Sequence, residues 1–177
     1  PRSGFVAASR ENPTPSTSPT RGDRHRGFRR ALEAAGVAAR PAYERFGYHG
    51  RFEARLLARE LLDLAEPPTA IFAASDTQAL GVLEAARDVG VPVPASLSVI
   101  GFDDIDVAEY LGLSTVRQPL YETGARATEL IFGMIAGHTP PPLGECLPVE
   151  LVRRQTTAPP RQSRHAKRQA RSGSPAP

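Results

Sequence analysis

Tryptophan is absent from this chain, aromatic residues make up only 6% of it, and Cys146 is its single cysteine. One thiol cannot close an intrachain disulfide, which points to a reducing compartment. No stretch approaches the roughly 20 consecutive apolar residues that a membrane helix needs. The opening residues PRSGFVAASRENPTPSTSPT lack the long apolar core of a secretion signal. A soluble, cytoplasmic protein without membrane contact is therefore expected. Catalytic signatures are missing too: there is no nucleophile elbow, no phosphate loop and no dinucleotide glycine fingerprint. His25, His138 and His165 stand at no ligand spacing from an acid or from Cys146, so neither a metal nor a cofactor is expected. The run Asp103-Asp104-Ile105-Asp106 lacks the pattern of a calcium loop. Cys146, just before a strand candidate, is read as a small buried residue.

Charge is present but unevenly placed. The formal net charge is +3, yet Arg161, Arg164, Lys167, Arg168 and Arg171 all fall in the last 17 residues with no acid among them. Without them the first 160 residues carry a formal −2. The high isoelectric point thus belongs to a tail that also lacks any large aliphatic residue. Residues 160–177 are expected to be a disordered basic end. Residues 1–22, rich in Pro, Ser and Thr beyond position 9, are expected to be disordered as well, with order beginning near Asp23.

The most informative segment runs from Pro68 to Pro119. The apolar run Ala70 to Ala74 stops at Ser75-Asp76. A helical pattern follows, with Ala79, Leu83 and Ala86 on one stripe, and closes at Gly90. Ser75 with Gln78 three residues on forms a capping box. A second apolar run, Leu97 to Ile100, stops at Gly101-Phe102-Asp103-Asp104. This strand, crossover helix, strand unit puts polar side chains where each strand ends, and open parallel sheets bind ligands just beyond the carboxyl ends of their strands. Elsewhere, Phe28, Ala31, Leu32 and Ala35 mark a helix ending at Gly36, and Ala42 to Phe46 a short strand. Leu56, Leu57, Leu61 and Leu64 mark a helix ended by Pro67-Pro68. A short helix is expected over 104–111, strands at Thr115-Val116 and over 147–152, and a helix opening at Pro119 with Leu120, Ala127, Ile131 and Met134 on its apolar face. Alternating strands and helices imply an α/β fold with a parallel sheet in an α/β/α arrangement.

These segments resemble, in order and spacing, the effector-binding domain of LacI/GalR-type transcription repressors, which has the type I periplasmic-binding-protein fold. Arg24-His25-Arg26-Gly27-Phe28 is similar to that family's Arg-x-x-Gly-aromatic helix. Pro68-Thr69-Ala70-Ile71-Phe72-Ala73-Ala74-Ser75-Asp76 with Ala79 and Gly81, then Leu97-Ser98-Val99-Ile100-Gly101-Phe102-Asp103-Asp104, and finally Ser114-Thr115-Val116-Arg117-Gln118-Pro119 resemble its later signatures. The likeness spans Arg24 to about Pro159, so residues 23–159 read as a partial sensor domain, mainly one subdomain of two. Residues 1–23 do not resemble the strand that should precede Arg24, and no helix-turn-helix is seen. A truncated reading frame is the expectation, with the Pro119 to Ala136 helix lacking the subdomain it would pack on.

The resemblance implies a small-molecule effector, a sugar or similar polar metabolite, and operator DNA bound only through a DNA-binding part absent here. It also implies a homodimer, with Tyr110 and Leu111 as candidate interface residues. For the site it implies Asp103 as the carboxylate accepting effector hydroxyls, Arg24 as a donor, Ser75 facing the cleft as well as capping, and Gln118 at the crossover between subdomains. An aromatic residue of the Gly47-Tyr48-His49-Gly50 loop would stack on the effector. Tyr48 is taken for that role with His49 as the alternative. Asp76 is read as structural and Asp104 as a cap. The rival readings are a periplasmic sugar-binding protein of a transporter and a small α/β enzyme using Asp103 and Asp104 as an acid/base pair.

Overall fold

The computed structural model describes residues 2–8, 19–139, 141 and 145–160. Its centre is a four-stranded parallel sheet of β1 (Ser3–Ala8), β2 (Glu44–Gly47), β3 (Ala70–Ala73) and β4 (Ser98–Ile100), in the order β2-β1-β3-β4. The parallel α/β fold expected from the alternating pattern is present. Helix α1 (Pro19–Ala34) joins β1 to β2. Helix α2 (Arg51–Leu62) joins β2 to β3, and α3 (Asp76–Asp88) joins β3 to β4. A 3-10 turn at Pro41–Tyr43 leads into β2. Then come α4 (Asp106–Tyr110), β5 (Thr115–Arg117), α5 (Leu120–Ile135) and β6 (Glu150–Val152).

The first strand corrects the sequence reading. Residues 1–22 were expected to be unstructured, yet β1 lies between β2 and β3, with Phe5 opposite Glu44 on one side and Phe72 on the other. Phe5 and Val6 are fully buried. The apolar run is short and mostly of small residues, and only its two partners reveal it as a central strand. Helix α1 also starts at Pro19, ahead of the expected Asp23. The rest of that N-terminal expectation, and the basic tail, lie outside the described residues.

Strand periodicity sorts the core into two layers. Val6, Ile71, Ala73 and Val99 face α2 and α3, whose Ala54, Leu57, Ala58, Leu61, Val82, Ala85 and Ala86 complete that layer. Phe5 and Ala74 face the other way, with Phe72 and Phe28 of α1 packed on them. The α2–α3 contact needs Gly81: a Cβ there would stand 2.7 Å from the Arg55 backbone nitrogen and 2.9 Å from the Ala54 Cβ. Gly90, at φ 69°, closes the turn after α3 as the pattern required.

Beyond β4 the chain departs from a simple parallel array. Gly101 N–H donates to Ser114 O at 2.9 Å and Asp103 N–H to Val116 O at 2.9 Å, so β5 runs parallel alongside the end of β4. Yet β5 pairs antiparallel with β6, because the chain returns from α5 in the opposite direction. Helix α5 buries no residue. Leu120, Ile131, Phe132, Met134 and Ile135 are all more than half exposed, as are Val149 and Leu151 near β6. An apolar surface of that extent marks a contact site. The chain on its own is therefore expected to self-associate through α5. Replacing Ile131 and Phe132 by Lys shifts sedimentation velocity toward monomer; a parent chain that sediments as a monodisperse monomer contradicts this.

Candidate functional site

The carboxyl ends of β3 and β4 are knotted together by one buried carboxylate. Ser75 caps α3, its Oγ accepting from Gln78 N–H at 3.2 Å, as the capping box predicts. Asp76 follows, with no solvent exposure. Its N–H donates to Phe102 O at 2.7 Å. Its Oδ1 accepts from Thr115 Oγ1 at 2.6 Å and its Oδ2 from Ile105 N–H at 3.0 Å. Asp76 thus joins the start of α3, the loop after β4 and the start of β5. Gly101 is required beside it, since any Cβ there would strike Asp76 Oδ1.

That knot sets the conformation of the next loop. Asp103 and Asp104 both have positive φ, 122° and 60°. Such backbone is strained for residues with side chains and persists where surroundings over-determine it. It turns the two carboxylates to opposite jobs. The Asp104 side chain is 6% exposed and bound by two guanidiniums, Arg117 Nε at 2.7 Å and Arg154 Nη1 at 2.7 Å. Burial pushes its carboxyl up, but the hydrogen bonds from Arg154 and Arg117 outweigh it and hold it below the ordinary carboxylate value. The cap expected at Asp104 is therefore an ion-paired anchor instead, because β5 and the segment after β6 both bring an Arg to it.

Asp103 Oδ1 accepts from Gln118 Nε2 at 2.6 Å and lies 3.6 Å from Arg24 Nη2. Burial raises this carboxyl above its usual value, against the opposing pull of Arg24 and the Gln118 hydrogen bond. Arg24 is fixed at three points: Nη1 donates to Ala74 O at 2.6 Å, the guanidinium stacks 3.9 Å over the Phe102 ring, and Asp103 stands beside it. Arg24, Phe102 and Gln118 line an open cleft of about 560 Å³ together with Thr123, Arg126 and Leu147. Arg24, Asp103 and Gln118 are thus brought together. Asp103 is not among the residues lining the cleft, but its carboxylate touches two that are, Gln118 and Arg24.

The remaining candidates sit apart from the cleft lining. Ser75 is buried, and its Oγ lies 3.3 Å from His49 Nε2. Tyr48 is 65% exposed and is not among the residues lining the cleft. Of that loop, His49 is the residue that reaches Ser75, and its charge also acts on Asp103. Cys146, expected to be buried, is exposed and lines the cleft, since the segment before β6 lies open rather than packed in a strand. Phe102 was missed as a site residue. Its place beside an acidic strand end was a signal, but only the Arg24 stack gives it a role. Among the described residues no group of three or more His, Cys, Asp or Glu is arranged to hold a metal ion.

A family model described as a periplasmic binding protein-like domain matches residues 2–157. The repressor CytR of Escherichia coli strain K12 is 39% identical over 137 residues, which are 76% of this chain and 40% of CytR. The chain therefore spans about two fifths of that curated relative. A LacI-family regulatory protein from Chloroflexus aggregans superposes with a TM-score of 0.78 at 31% identity, over 89% of this chain and 55% of that one. The transcriptional regulator CelR in complex with cellobiose gives a TM-score of 0.78 at 31% identity, over 88% of this chain and 46% of that one.

The two neighbouring aspartates should act oppositely on stability. Asp103 holds its proton more tightly in the folded state, so its contribution is present below the ordinary carboxylate value and lost as pH rises through the raised one. Asp104 contributes above that value and loses its contribution as pH falls through its lowered one. In urea unfolding at a series of pH values, Asp103→Asn gains relative to the parent as pH rises from about 3.8. Asp104→Asn loses relative to the parent over the acid range. A difference independent of pH for either variant contradicts the assignment.

Proposed function

The chain belongs to the periplasmic binding protein-like domain family, in the form carried by LacI-type transcription regulators, and we propose that it is the effector-sensing part of such a regulator. The observation that carries this reading is the cleft itself. A fixed guanidinium, a side-chain amide and an aromatic ring meet where the carboxyl ends of parallel strands open. The effector class is a sugar or a similar polar metabolite. Paired hydroxyls match a forked donor such as Arg24 and a bifunctional amide such as Gln118. The aromatic face of Phe102 adds an apolar wall. The cellobiose held by CelR supports a sugar ligand for this chain.

Effector binding draws α5 and its surroundings onto the strand ends. That shifts the balance between two domain arrangements and, through a DNA-binding part outside this chain, operator affinity. The regulator works in the cytoplasm as a homodimer. The exposure of Tyr110, at 88%, and of Leu111 supports a part for both in that contact. Among the described residues no helix is long and apolar enough to cross a membrane. The protein is a binding module, not an enzyme. Both oxygens of Asp104 are taken up by Arg117 and Arg154, which leaves neither to reach a reacting group as the base of an acid/base pair would have to.

Titration of the 177-residue chain with ribose, galactose and cellobiose by calorimetry tests the reading. Saturable binding to one of them is expected, weakened about 10- to 150-fold by Arg24→Ala, the loss of one charged hydrogen bond. No binding to any, or binding indifferent to both Arg24→Ala and Gln118→Ala, overturns it.

A further inference from the structure

Arg24 enters the cleft from α1, yet no described side chain of that helix is fully buried. Phe28 gives it an apolar foothold, stacking 5.1 Å from Phe5 and lying 6.2 Å from Phe72. One apolar foothold does not by itself fix a helix about its own axis, and the reach of the long Arg24 side chain depends on that rotation. The second attachment is polar. Glu44, at the start of β2, has a side chain only 9% exposed. Its Oε2 lies 2.9 Å from His25 Nε2, and its Oε1 lies 3.7 Å from Arg29 Nε. His25 and Arg29 are four residues apart, on one face of α1. One carboxylate therefore grips two successive turns. The His25 ring is confined as well, 5.0 Å from Phe5 and edge-on to Phe46 at 5.2 Å.

This arrangement is a poor way to add stability. Glu44 Oε1 is buried with no hydrogen-bond partner, and an enclosed ion pair with incomplete hydrogen bonding gains little over apolar packing. Its geometry fits a different role. Arg24 precedes His25 directly, so a rotation of α1 that releases His25 swings the Arg24 guanidinium away from Ala74 O and Asp103.

We propose that Glu44 is a positioning residue for the cleft: by holding His25 and Arg29 it fixes the rotation of α1 and hence the reach of Arg24. This rests on the reading of Arg24 as the effector donor, but its test needs no effector. Asp103 reports on Arg24, which stands 3.6 Å away and opposes the effect of burial on that carboxyl. The experiment follows the Asp103 carboxyl by carbon NMR through an acid titration.

Glu44→Gln raises the Asp103 midpoint, in the direction of Arg24→Ala and by a smaller amount. Glu44→Asp recovers part of the shift. In the Arg24→Ala background Glu44→Gln has no further effect. Should Glu44→Gln fail to fold, His25→Asn is expected to raise the midpoint in the same way. An unmoved midpoint, or an equal shift with Arg24 already removed, overturns the proposal and leaves Glu44 a plain structural acid. The sugar titration separates the two ideas. A responsive Asp103 without sugar binding keeps the positioning role and sinks the sensor reading. Sugar binding with an unresponsive Asp103 does the reverse.

Discussion

A single desolvated carboxylate, that of Asp76, orders the functional end of this molecule. Its two oxygens accept from Thr115 Oγ1 and Ile105 N–H while its own N–H donates to Phe102 O. The start of α3 and two segments 29 and 39 residues further on thereby share one anchor. A buried polar group is tolerated only when it is hydrogen-bonded. Here that demand works in reverse, dictating where the loop after β4 and the start of β5 must lie. The positive φ of Asp103 and Asp104 follows from that constraint, and with it the division between a carboxylate that orients the cleft and one that ties down β5 and the return segment.

The cleft is built on restraint rather than on free donors. Arg24 is stacked on Phe102, bonded to Ala74 O and flanked by Asp103. A donor held this way loses little conformational freedom when a ligand arrives, which raises affinity per contact. The opposite wall comes from α5 and the segment before β6, the parts of the described chain with the least burial. One wall is pinned by hydrogen bonds and stacking, and the other is largely exposed.

Much of the scaffold could be read from residues alone. The apolar runs into Ser75-Asp76 and Gly101-Phe102-Asp103-Asp104 located β3, β4 and the sheet end where the cleft opens. The Ser75–Gln78 spacing gave the cap, and Gly90 the end of α3. Arg24, Asp103 and Gln118 came from family resemblance and meet in space. What stayed hidden depends on distant partners. Strand β1 is short and built largely of small residues, so only β2 and β3 on either side make it a strand. Asp104 looked like a local cap because its Arg partners lie 13 and 50 residues away. Glu44 and His25, 19 residues apart, carry no sequence signal of their contact. Cys146 was misjudged because hydrophobicity suggested burial for a segment that lines an open cleft.

Amide hydrogen exchange on Asp76→Asn tests most directly whether this one carboxylate organises the cleft. The account predicts faster exchange at Ile105 N–H and Asp103 N–H, with the amides of β1 and β3 keeping their protection. Unchanged protection across residues 101–106, or uniform loss that takes β1 and β3 with it, would contradict the idea that Asp76 orders the cleft rather than the fold.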